Sequence, residues 1–419
     1  MRRVVVTGIG TINSTGHNVK DSFEAVVNGV CGIDTITLFD ASEFSVKIAG
    51  EVKDFDPTTV MDKKEVKKAD RFIQLGIKAA LEAMIDSGYV TQEDKKVDAS
   101  IADRFGMISG SGIGGLSTIE RNSVVCETKG SRKVSPFFIP SSLANMLSGF
   151  ISIEHNLRGP SLSHVTACAA STHALNDAVK TIMIGGADRV LVVGAESAIC
   201  AAGVAGFAAM KALSTRNDDP KKSSRPFDID RDGFVMGEGA GALVVEDLEL
   251  ALARGAKIYA EIIGFGESGD ANHITSPVMD GPLRAMQAAF EMAKNITGEY
   301  PKIDYINAHG TSTPVGDKNE TAAIKALFGG KENAPLVSST KGQIGHCLGA
   351  AGAIEAIFTI KALNEGIIPP TINIENQDPE CDLDYIANVA RKADLTTVMS
   401  NNFGFGGTNG SVIFKKYTK

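Results

Sequence analysis

The sequence lacks any hydrophobic run long enough to cross a membrane. Although 43% of its 419 residues are hydrophobic, no run approaches the roughly 18 apolar residues that a membrane span requires. The start, M-R-R, leads into a short β-type segment, V-V-V-T-G, and not into the apolar core of a signal peptide. We therefore expect a globular protein that contacts no membrane and works in the cytoplasm.

Paired cysteines and an excess of positive charge are also lacking. Six cysteines stand singly along the chain, without the spacing of a disulfide framework or a metal site. Free thiols are typical of a reducing compartment, which agrees with the cytoplasm. The net charge of -8 argues against a nucleic-acid-binding protein. The length allows two or three domains with a large core.

What the sequence does contain is a regular alternation of β-type and helical segments. Residues 4–9, 105–109, 189–194 and 242–246 form buried β-type runs, and residues 72–87 have helical periodicity. After Gly255 a second series follows, at 258–263, 303–308, 336–339, 397–401 and 411–414. This alternation predicts a layered α/β fold. We place a boundary between two similar halves, 1–255 and 256–419, and expect them to pack as one body because no flexible linker separates them.

The segment V-T-A-C-A-A-S-T-H-A places Cys168 among small residues. Apolar residues at helical spacing follow it up to Gly185-Gly186, so Cys168 should lie at a strand-to-helix turn near a helix N-terminus. The helix dipole and unpaired N–H groups there would lower the pKa of the thiol and favour a nucleophilic thiolate. A buried, chemically inert cysteine is the alternative, and this segment alone does not decide between them.

Two glycine clusters match G-x-G-x-x-G, at 110–115 and at 264–269. A dinucleotide site would also need a helix that begins at the last glycine and an acidic residue about 20 positions later. Neither cluster has both. We therefore interpret these glycines as strand-exit turns and as places where two backbones approach closely.

The second half carries two histidine motifs and a final glycine loop. N-A-H-G-T-S-T-P puts His309 at the end of a β-type segment, and S-S-T-K-G-Q-I-G-H brings Lys341 and His346 together. Loops at strand ends commonly carry functional sites. A zinc site built from His309, His346 and Cys347 lacks the usual ligand spacing, so we predict no metal ligands. The last motif, F-G-F-G-G-T-N, is either a functional glycine loop or a turn with two core phenylalanines.

These four motifs, in this order, resemble the elongating β-ketoacyl-acyl carrier protein synthases, and most of all the synthase II group of bacterial type II fatty acid synthesis. The resemblance covers nearly the whole chain. It implies a thiolase-like fold in αβαβα layers with mixed sheets, and a homodimer. Ser171 stands where the synthase II group usually has glycine, and Asn402 replaces the serine usual before the final motif. The second change leaves open the structural monovalent cation that relatives hold there.

The resemblance also implies a reaction: condensation of an acyl-carrier protein with a malonyl-carrier protein, with loss of carbon dioxide. No cofactor is required, since the substrates carry 4′-phosphopantetheine. Cys168 would take the acyl group, His309 and His346 would stabilise the enolate, and Lys341, with Glu355 behind it, would order the histidines or the malonyl carboxylate. Phe405 would be a gate whose N–H, with that of Cys168, binds the oxyanion. Further substrate-binding positions are Thr311 and Thr313 for pantetheine, Ile113 and Phe207 for the acyl pocket, and the loop residues Phe403, Gly404, Gly406 and Gly407.

Basic side chains recur at helical spacing despite the acidic composition. A helix over this segment would display a basic stripe suited to an acidic carrier protein, and the resemblance adds one further lysine to the docking surface. The residues concerned are Lys64, Lys67, Lys68 and Arg71, with Lys211 as the additional lysine.

Four alternatives stay open at this point. A thiolase should have a second catalytic cysteine in the final loop, and an initiating synthase should have asparagine where His346 stands. A non-catalytic chain-length subunit should lack the nucleophilic cysteine. A cysteine hydrolase would release free acid, so the identity of its product would distinguish it.

Overall fold

The computed structural model describes residues 1–418. Its strands are β1 Val4–Asn13, β2 Asp34–Thr35, β3 Ile48–Ala49, β4 Phe105–Gly110, β5 Ser161–His164, β6 Arg189–Glu196, β7 Gly239–Asp247, β8 Ala260–Gly269, β9 Tyr305–Asn307, β10 Leu336–Ser338, β11 Ile367–Ile368, β12 Arg391–Lys392, β13 Thr397–Gly404 and β14 Thr408–Lys415. Its α-helices are α1 Val19–Val27, α2 Lys63–Val66, α3 Arg71–Asp86, α4 Ala99–Ala102, α5 Leu116–Lys129, α6 Phe138–Ser142, α7 Met146–His155, α8 Ala170–Met183, α9 Ala201–Ala209, α10 Leu248–Ala253, α11 Asp280–Thr297, α12 Pro314–Phe328, α13 Lys341–Ile344 and α14 Ala351–Glu365.

Ten strands form one mixed sheet in the order β10-β9-β13-β14-β8-β1-β7-β6-β4-β5. The five strands on one side of the β8–β1 junction come from the C-terminal half, and the five on the other side come from the N-terminal half. At the junction, Val4 to Val6 pair antiparallel with Ala260 to Ile262. The predicted boundary at Gly255 falls between α10 and β8, where the chain passes from one half of the sheet to the other.

Two helices, α8 and α14, lie between the two halves of the sheet. Both contact strands of each half, and they also contact one another. Most of their side chains are buried, including Leu175, Val179, Ile354 and Ile357 in the largest hydrophobic core. Helix α3 covers the outer face of β1, β7 and β6, and α11 covers β8 and β14. These contacts give the layered α/β fold that the alternation predicts, with the αβαβα order that the resemblance implies.

The predicted β-type segments all coincide with strands of the sheet, and the predicted helix at 72–87 is α3, Arg71–Asp86. The predicted bounds are too short in several cases; β1, for example, continues to Asn13. The edge strand β5 has partly or fully exposed residues throughout, so no buried run marks it in the sequence. Among the helices of residues 1–418, none combines the length and the apolar character needed to cross a bilayer.

The glycine cluster at 264–269 lies inside β8, so its interpretation as a strand-exit turn is wrong. The expected close backbone approach is confirmed. A Cβ on Gly264 would lie 2.5 Å from the carbonyl oxygen of Ala289, and one on Gly266 would lie 2.1 Å from that of Ala285. Glycine at these positions lets α11 pack directly against the strand.

Candidate active site

Cys168 lies at the turn between β5 and α8, as predicted. A 3₁₀ turn, Ala167–Ala169, precedes the helix, and Ala167 has a left-handed φ of 49°. Such a conformation is unfavourable for alanine. The turn places the thiol at the N-terminal end of α8, where it is only 9% exposed and lines an internal cavity.

The predicted lowering of the Cys168 pKa is wrong. Burial raises the pKa of this thiol to about 12, against a smaller opposing influence of the Lys341 cation and of the backbone N–H groups of Phe405 and Cys168. Removing the sulfur from water disfavours the thiolate more than these groups favour it. Cys168 is therefore a thiol before substrate binds, and its proton must leave when the sulfur attacks.

His309 and His346 approach Cys168 from the other half of the molecule. A ligand atom of each of the three side chains lies within 4.8 Å of the others. The two imidazole rings are 5.3 Å apart between centroids and nearly perpendicular. Within residues 1–418, Nδ1 of His309 and both ring nitrogens of His346 have no hydrogen-bond partner. Buried polar atoms are normally paired, so these nitrogens are available to a bound ligand.

Both histidines are neutral at physiological pH. Burial lowers the pKa of each imidazole well below its ordinary value, and the charge of Lys341 lowers both further. A neutral imidazole offers one N–H donor and one acceptor nitrogen. The pair can therefore donate two hydrogen bonds to one oxygen, or accept a proton from the nearby thiol.

The backbone beneath His309 is fixed by Glu320, which the sequence analysis missed. Its carboxylate accepts the N–H groups of His309 at 2.8 Å and of Gly310 at 2.7 Å. Burial raises the pKa of Glu320 to about 7, and this residue also lines the cavity. Glu320 lies on α12, the helix that directly follows the histidine motif, and nothing in the local sequence indicates that this glutamate is buried.

Lys341 and Glu355 form a buried ion pair, with side chains 1% and 0% exposed. Neither residue lines the cavity. Of the two roles considered for Lys341, this position favours ordering the histidine segment, since the ammonium group is bound to Glu355 and does not face the substrate space. The second oxygen of Glu355 accepts Nδ2 of Asn402 at 2.7 Å.

The glycine cluster at 110–115 surrounds another buried carboxylate that the sequence analysis missed. Glu196 accepts backbone N–H groups from Gly112 at 2.6 Å and from Gly349 at 3.0 Å, and the hydroxyl of Ser111 at 3.0 Å. A Cβ on Gly112 would lie 2.8 Å from this carboxylate. The cluster is thus a strand-exit turn, as expected. The expected close backbone approach is also present, since a Cβ on Gly349 would lie 2.1 Å from the backbone nitrogen of Gly112.

The loop F-G-F-G-G adjoins the thiol. A Cβ on Gly404 would lie 3.2 Å from the backbone nitrogen of Cys168, so glycine allows the loop to approach the nucleophile. Gly406 and Gly407 have φ of 85° and 67°, angles that glycine adopts without strain. The ring of Phe403 contacts His309 edge-on. The ring of Phe405 is 37% exposed and lies 6.5 Å from that of Phe207, so it is not a core phenylalanine.

One cavity of about 550 Å³ joins these groups. Near Cys168 its wall is apolar, with Ile113, Phe207 and Phe234. Thr311 and Thr313 also line the cavity and place their hydroxyls 3.0 Å apart. The predicted acyl-pocket and pantetheine positions therefore line one continuous space, as do Phe403, Gly404, Phe405 and Gly407.

The prediction that a single helix carries the basic stripe is wrong. Helix α2 ends at Val66, and α3 begins at Arg71 after its N-cap, Asp70. Arg71 donates two hydrogen bonds to the buried carboxylate of Glu238, at 2.8 and 2.7 Å, and is thus occupied. Lys64 and Lys67 are exposed, and Lys68 pairs with Glu65 at 2.5 Å. Lys211 is exposed at the rim of the cavity.

Of the three residues considered for zinc, His309 and His346 converge, but Cys347 does not join them. Cys347 is fully buried, with its sulfur 3.6 Å from the carbonyl oxygen of Glu238. The sulfur that does converge with His309 and His346 is that of Cys168. This arrangement pairs a thiol with two neutral imidazoles around a cavity, which suits acyl transfer.

Comparison with known proteins identifies the family. The family description "Beta-ketoacyl synthase, N-terminal domain" matches residues 1–251, and its C-terminal counterpart matches residues 259–375. The chain is 50% identical to the 3-oxoacyl-[acyl-carrier-protein] synthase 2 of Vibrio harveyi, over 99% of each protein.

Solved structures agree. A β-ketoacyl synthase from Burkholderia phymatum superposes with a TM-score of 0.91, at 36% identity over the full length of both chains. A type II polyketide ketosynthase solved in complex with its acyl carrier protein gives a TM-score of 0.86, at 29% identity and full coverage of both chains. The family models and the full-length relatives show that the chain belongs to the β-ketoacyl synthase family.

Proposed function

We propose that this protein elongates acyl chains by decarboxylative condensation of an acyl-acyl carrier protein with a malonyl-acyl carrier protein, as a 3-oxoacyl synthase of the synthase II type. The single observation that carries the proposal is the convergence of the Cys168 sulfur with His309 and His346 at one cavity. The relative named above supports the substrate class, since its name specifies an acyl carrier protein.

The first half-reaction loads the acyl group. The sulfur of Cys168 attacks the thioester carbonyl while its proton passes to a neutral imidazole. The backbone N–H groups of Cys168 and Phe405 stabilise the tetrahedral oxyanion, and one such donor is worth about a hundred- to a thousandfold in rate. The carbon–sulfur bond to the carrier then breaks, and the leaving thiolate takes the proton. The product is acyl-Cys168 and free carrier thiol.

The second half-reaction forms the carbon–carbon bond. The malonyl group loses carbon dioxide, and its electron pair moves to an enolate whose oxygen accepts hydrogen bonds from His309 and His346. The enolate carbon attacks the acyl-Cys168 carbonyl, the bond to sulfur breaks, and the Cys168 thiolate takes a proton from solvent. Two neutral imidazoles suit this step, because the positive charge of a protonated imidazole would be repelled by the neighbouring Lys341 ammonium group.

The competing activities have weaker support. A thiolase requires a second cysteine in the final loop, where this chain has F-G-F-G-G-T-N. An initiating synthase would have asparagine at position 346, and a non-catalytic subunit would lack Cys168. A hydrolase must admit water to the acylated sulfur, whereas Cys168 is 9% exposed in an apolar wall.

The carrier protein is expected to dock at the cavity rim. Lys211 is exposed there, and Lys64, Lys67 and Lys68 provide further positive charge in a protein of net charge -8. Arg71 is left out of this surface because it is bonded to Glu238. Such charges increase the rate of encounter with an acidic partner more than they increase intrinsic affinity.

A homodimer is supported by the edge of the sheet. Strand β5 ends the ten-stranded sheet, so its outer edge is free to pair with a second copy. Exposed apolar side chains lie on and near it, including Leu162, Val165 and Ile153. A twofold copy would cover both features at once. Light scattering of Leu162→Asp should give a monomer where the unchanged protein gives a dimer, and an unchanged mass would exclude this interface.

The reaction uses no cofactor, because the pantetheine arm arrives with each substrate. A structural monovalent cation would be held by oxygen atoms of Asn307 and Ser400, which are register neighbours on β9 and β13 and whose side-chain oxygens lack hydrogen-bond partners within residues 1–418. Asn402 directs its Nδ2, and not its side-chain oxygen, toward Glu355. Replacing potassium by tetramethylammonium should lower the melting temperature if this site is filled, and an unchanged melting temperature would exclude it.

A cytoplasmic location agrees with the six free cysteines.

Trapping the intermediate tests the proposed function. Incubation with acyl-carrier protein alone should add one acyl mass to the peptide that contains Cys168, and malonyl-carrier protein should then remove it. An adduct that is lost equally fast in buffer would indicate a hydrolase, and no adduct at all would exclude the acylation step.

A further inference from the structure

A buried row of hydrogen bonds extends from the nucleophile helix to Lys341. Oγ1 of Thr172 donates to Oδ1 of Asn402 at 2.6 Å, and Nδ2 of Asn402 donates to Oε2 of Glu355 at 2.7 Å. The other oxygen of Glu355 pairs with Nζ of Lys341. All four residues are 1% exposed or less, so water cannot replace any member of this row.

The chemistry of the groups fixes the direction of the Asn402 amide. Its Nδ2 must face Glu355, because the opposite orientation would bring Oδ1 against a carboxylate that only accepts hydrogen bonds. Thr172 holds the amide in that orientation by donating to Oδ1. Helix α14 packs closely on this hydroxyl: a Cβ on Gly352 would lie 2.2 Å from Oγ1 of Thr172.

The row connects the segments that carry the reacting groups. Thr172 lies one turn along α8 from Cys168, and Asn402 lies on β13 just before the loop of Phe405. Glu355 lies on α14, and Lys341 lies a few residues before His346. Elements from both halves of the molecule thus meet at one amide, which is the kind of support that keeps reacting groups in register.

We propose that Asn402, held by Thr172, is a positioning residue that sets the Glu355–Lys341 pair, and through it the histidine segment, for condensation. None of the four residues lines the cavity, so the effect is exerted through other residues and not by contact with substrate. The inference rests on the proposed function and adds to it residues whose contribution neither motif spacing nor a substrate contact would identify.

The test compares steady-state elongation by Asn402→Leu, Thr172→Val and Thr172→Ser. Leucine branches at Cγ as asparagine does but cannot donate to Glu355, and valine removes the Thr172 hydroxyl while keeping its shape. For Asn402→Leu we expect kcat to fall about ten- to a hundredfold, the effect of losing a hydrogen bond to a charged group. For Thr172→Val we expect a fall of about five- to tenfold, because that hydrogen bond joins two neutral groups. KM for malonyl-carrier protein should be unchanged in both. Thr172→Ser keeps the hydroxyl and should stay within about threefold of the unchanged protein.

Thr359→Val is the matched control. Thr359 is also a buried helical threonine, but its hydroxyl bonds the backbone carbonyl of Glu355 and not the carboxylate. A similar fall in kcat for Thr359→Val, or equal values for Thr172→Val and Thr172→Ser, would overturn the inference. So would wild-type kcat in Asn402→Leu. If the unchanged protein makes no elongated product, the proposed function fails first, and the inference falls with it.

Discussion

At the scale of single residues, Cys168 combines high burial with the nucleophilic role that we propose for it. Burial raises its thiol pKa to about 12, so the thiolate fraction at pH 7 to 9 is small and rises about tenfold per pH unit. We expect alkylation of Cys168 to accelerate in the same way and to be blocked by prior acylation. Because Cys126 is exposed and will also react, the labelling should use a Cys126→Ser background with peptide mapping.

Cys168→Ala is expected to abolish condensation while the protein stays folded. If Cys200 or Cys347 is the substrate-protected thiol instead, Cys168 is not the nucleophile. An alkylation rate that is flat between pH 7 and 9 would show that the thiolate is already formed, and would contradict the effect of burial.

His309 and His346 should act mainly after acylation. The enolate needs both N–H donors, whereas one imidazole suffices to accept the thiol proton. His309→Ala and His346→Ala should therefore each slow decarboxylation of malonyl-carrier protein about a hundred- to a thousandfold, and slow acylation of Cys168 less. Single-turnover acylation and carbon dioxide release, measured separately, test this. Equal losses in the two steps would assign the histidines chiefly to thiol activation.

The same two residues set the pH dependence of decarboxylation. Because burial and the Lys341 charge hold both imidazole pKa values well below the ordinary range, the neutral form persists as the pH falls below 6.5, and activity should persist with it. Lys341→Met removes the cation and leaves Glu355 in place. The loss of the positive charge should raise the pKa values of both histidines. Its acid limb should therefore move to higher pH, and a limb that does not move would contradict this electrostatic role.

At the scale of elements, the loop that follows β13 carries the exposed ring of Phe405 and the backbone N–H that we propose as the second oxyanion donor. Phe405→Ala keeps the backbone N–H and should retain acylation, but it should release more carbon dioxide per β-ketoacyl product if the ring orders the two half-reactions. Gly406→Ala should slow acylation, because alanine is strained at a φ of 85°. Both yields can be measured in one reaction; an unchanged ratio and an unchanged acylation rate would exclude a gate.

Prediction from the sequence succeeded best for the positions of the helices and strands. The predicted buried run at 303–308 contains strand β9, whose residues are all buried, and this run is what places His309 at a strand end. The carboxylates Glu196 and Glu320 were missed for different reasons: Glu196 is bonded to the backbone N–H of Gly112, far away in sequence, whereas Glu320 is bonded to the nearby His309 but has no local pattern that indicates its burial. The Cys168 pKa was mispredicted because helix position can be inferred from sequence, while the extent of burial depends on packing between the two halves.

At the scale of the whole molecule, an acidic protein is proposed to bind an acidic carrier through a small basic surface. Reversing Lys67 and Lys68 to Glu should raise KM for carrier-linked substrates and weaken its salt dependence, with kcat unchanged. Reversing the exposed Lys302 and Lys392 gives the same change in net charge and serves as the control. An unchanged KM at low salt, or an equal rise in both variants, would exclude this docking surface.

We propose that one cavity both acylates Cys168 and condenses the acyl group with a decarboxylated malonyl unit. The identity of the product is the direct test of this proposal. Acyl-carrier protein and malonyl-carrier protein labelled with ¹³C at all three malonyl carbons should be combined with the enzyme and analysed by mass spectrometry. We expect a β-ketoacyl-carrier protein two labelled carbons longer than the starting acyl group, with one labelled carbon dioxide per product. Free fatty acid, or acetyl-carrier protein without any elongated product, would contradict it.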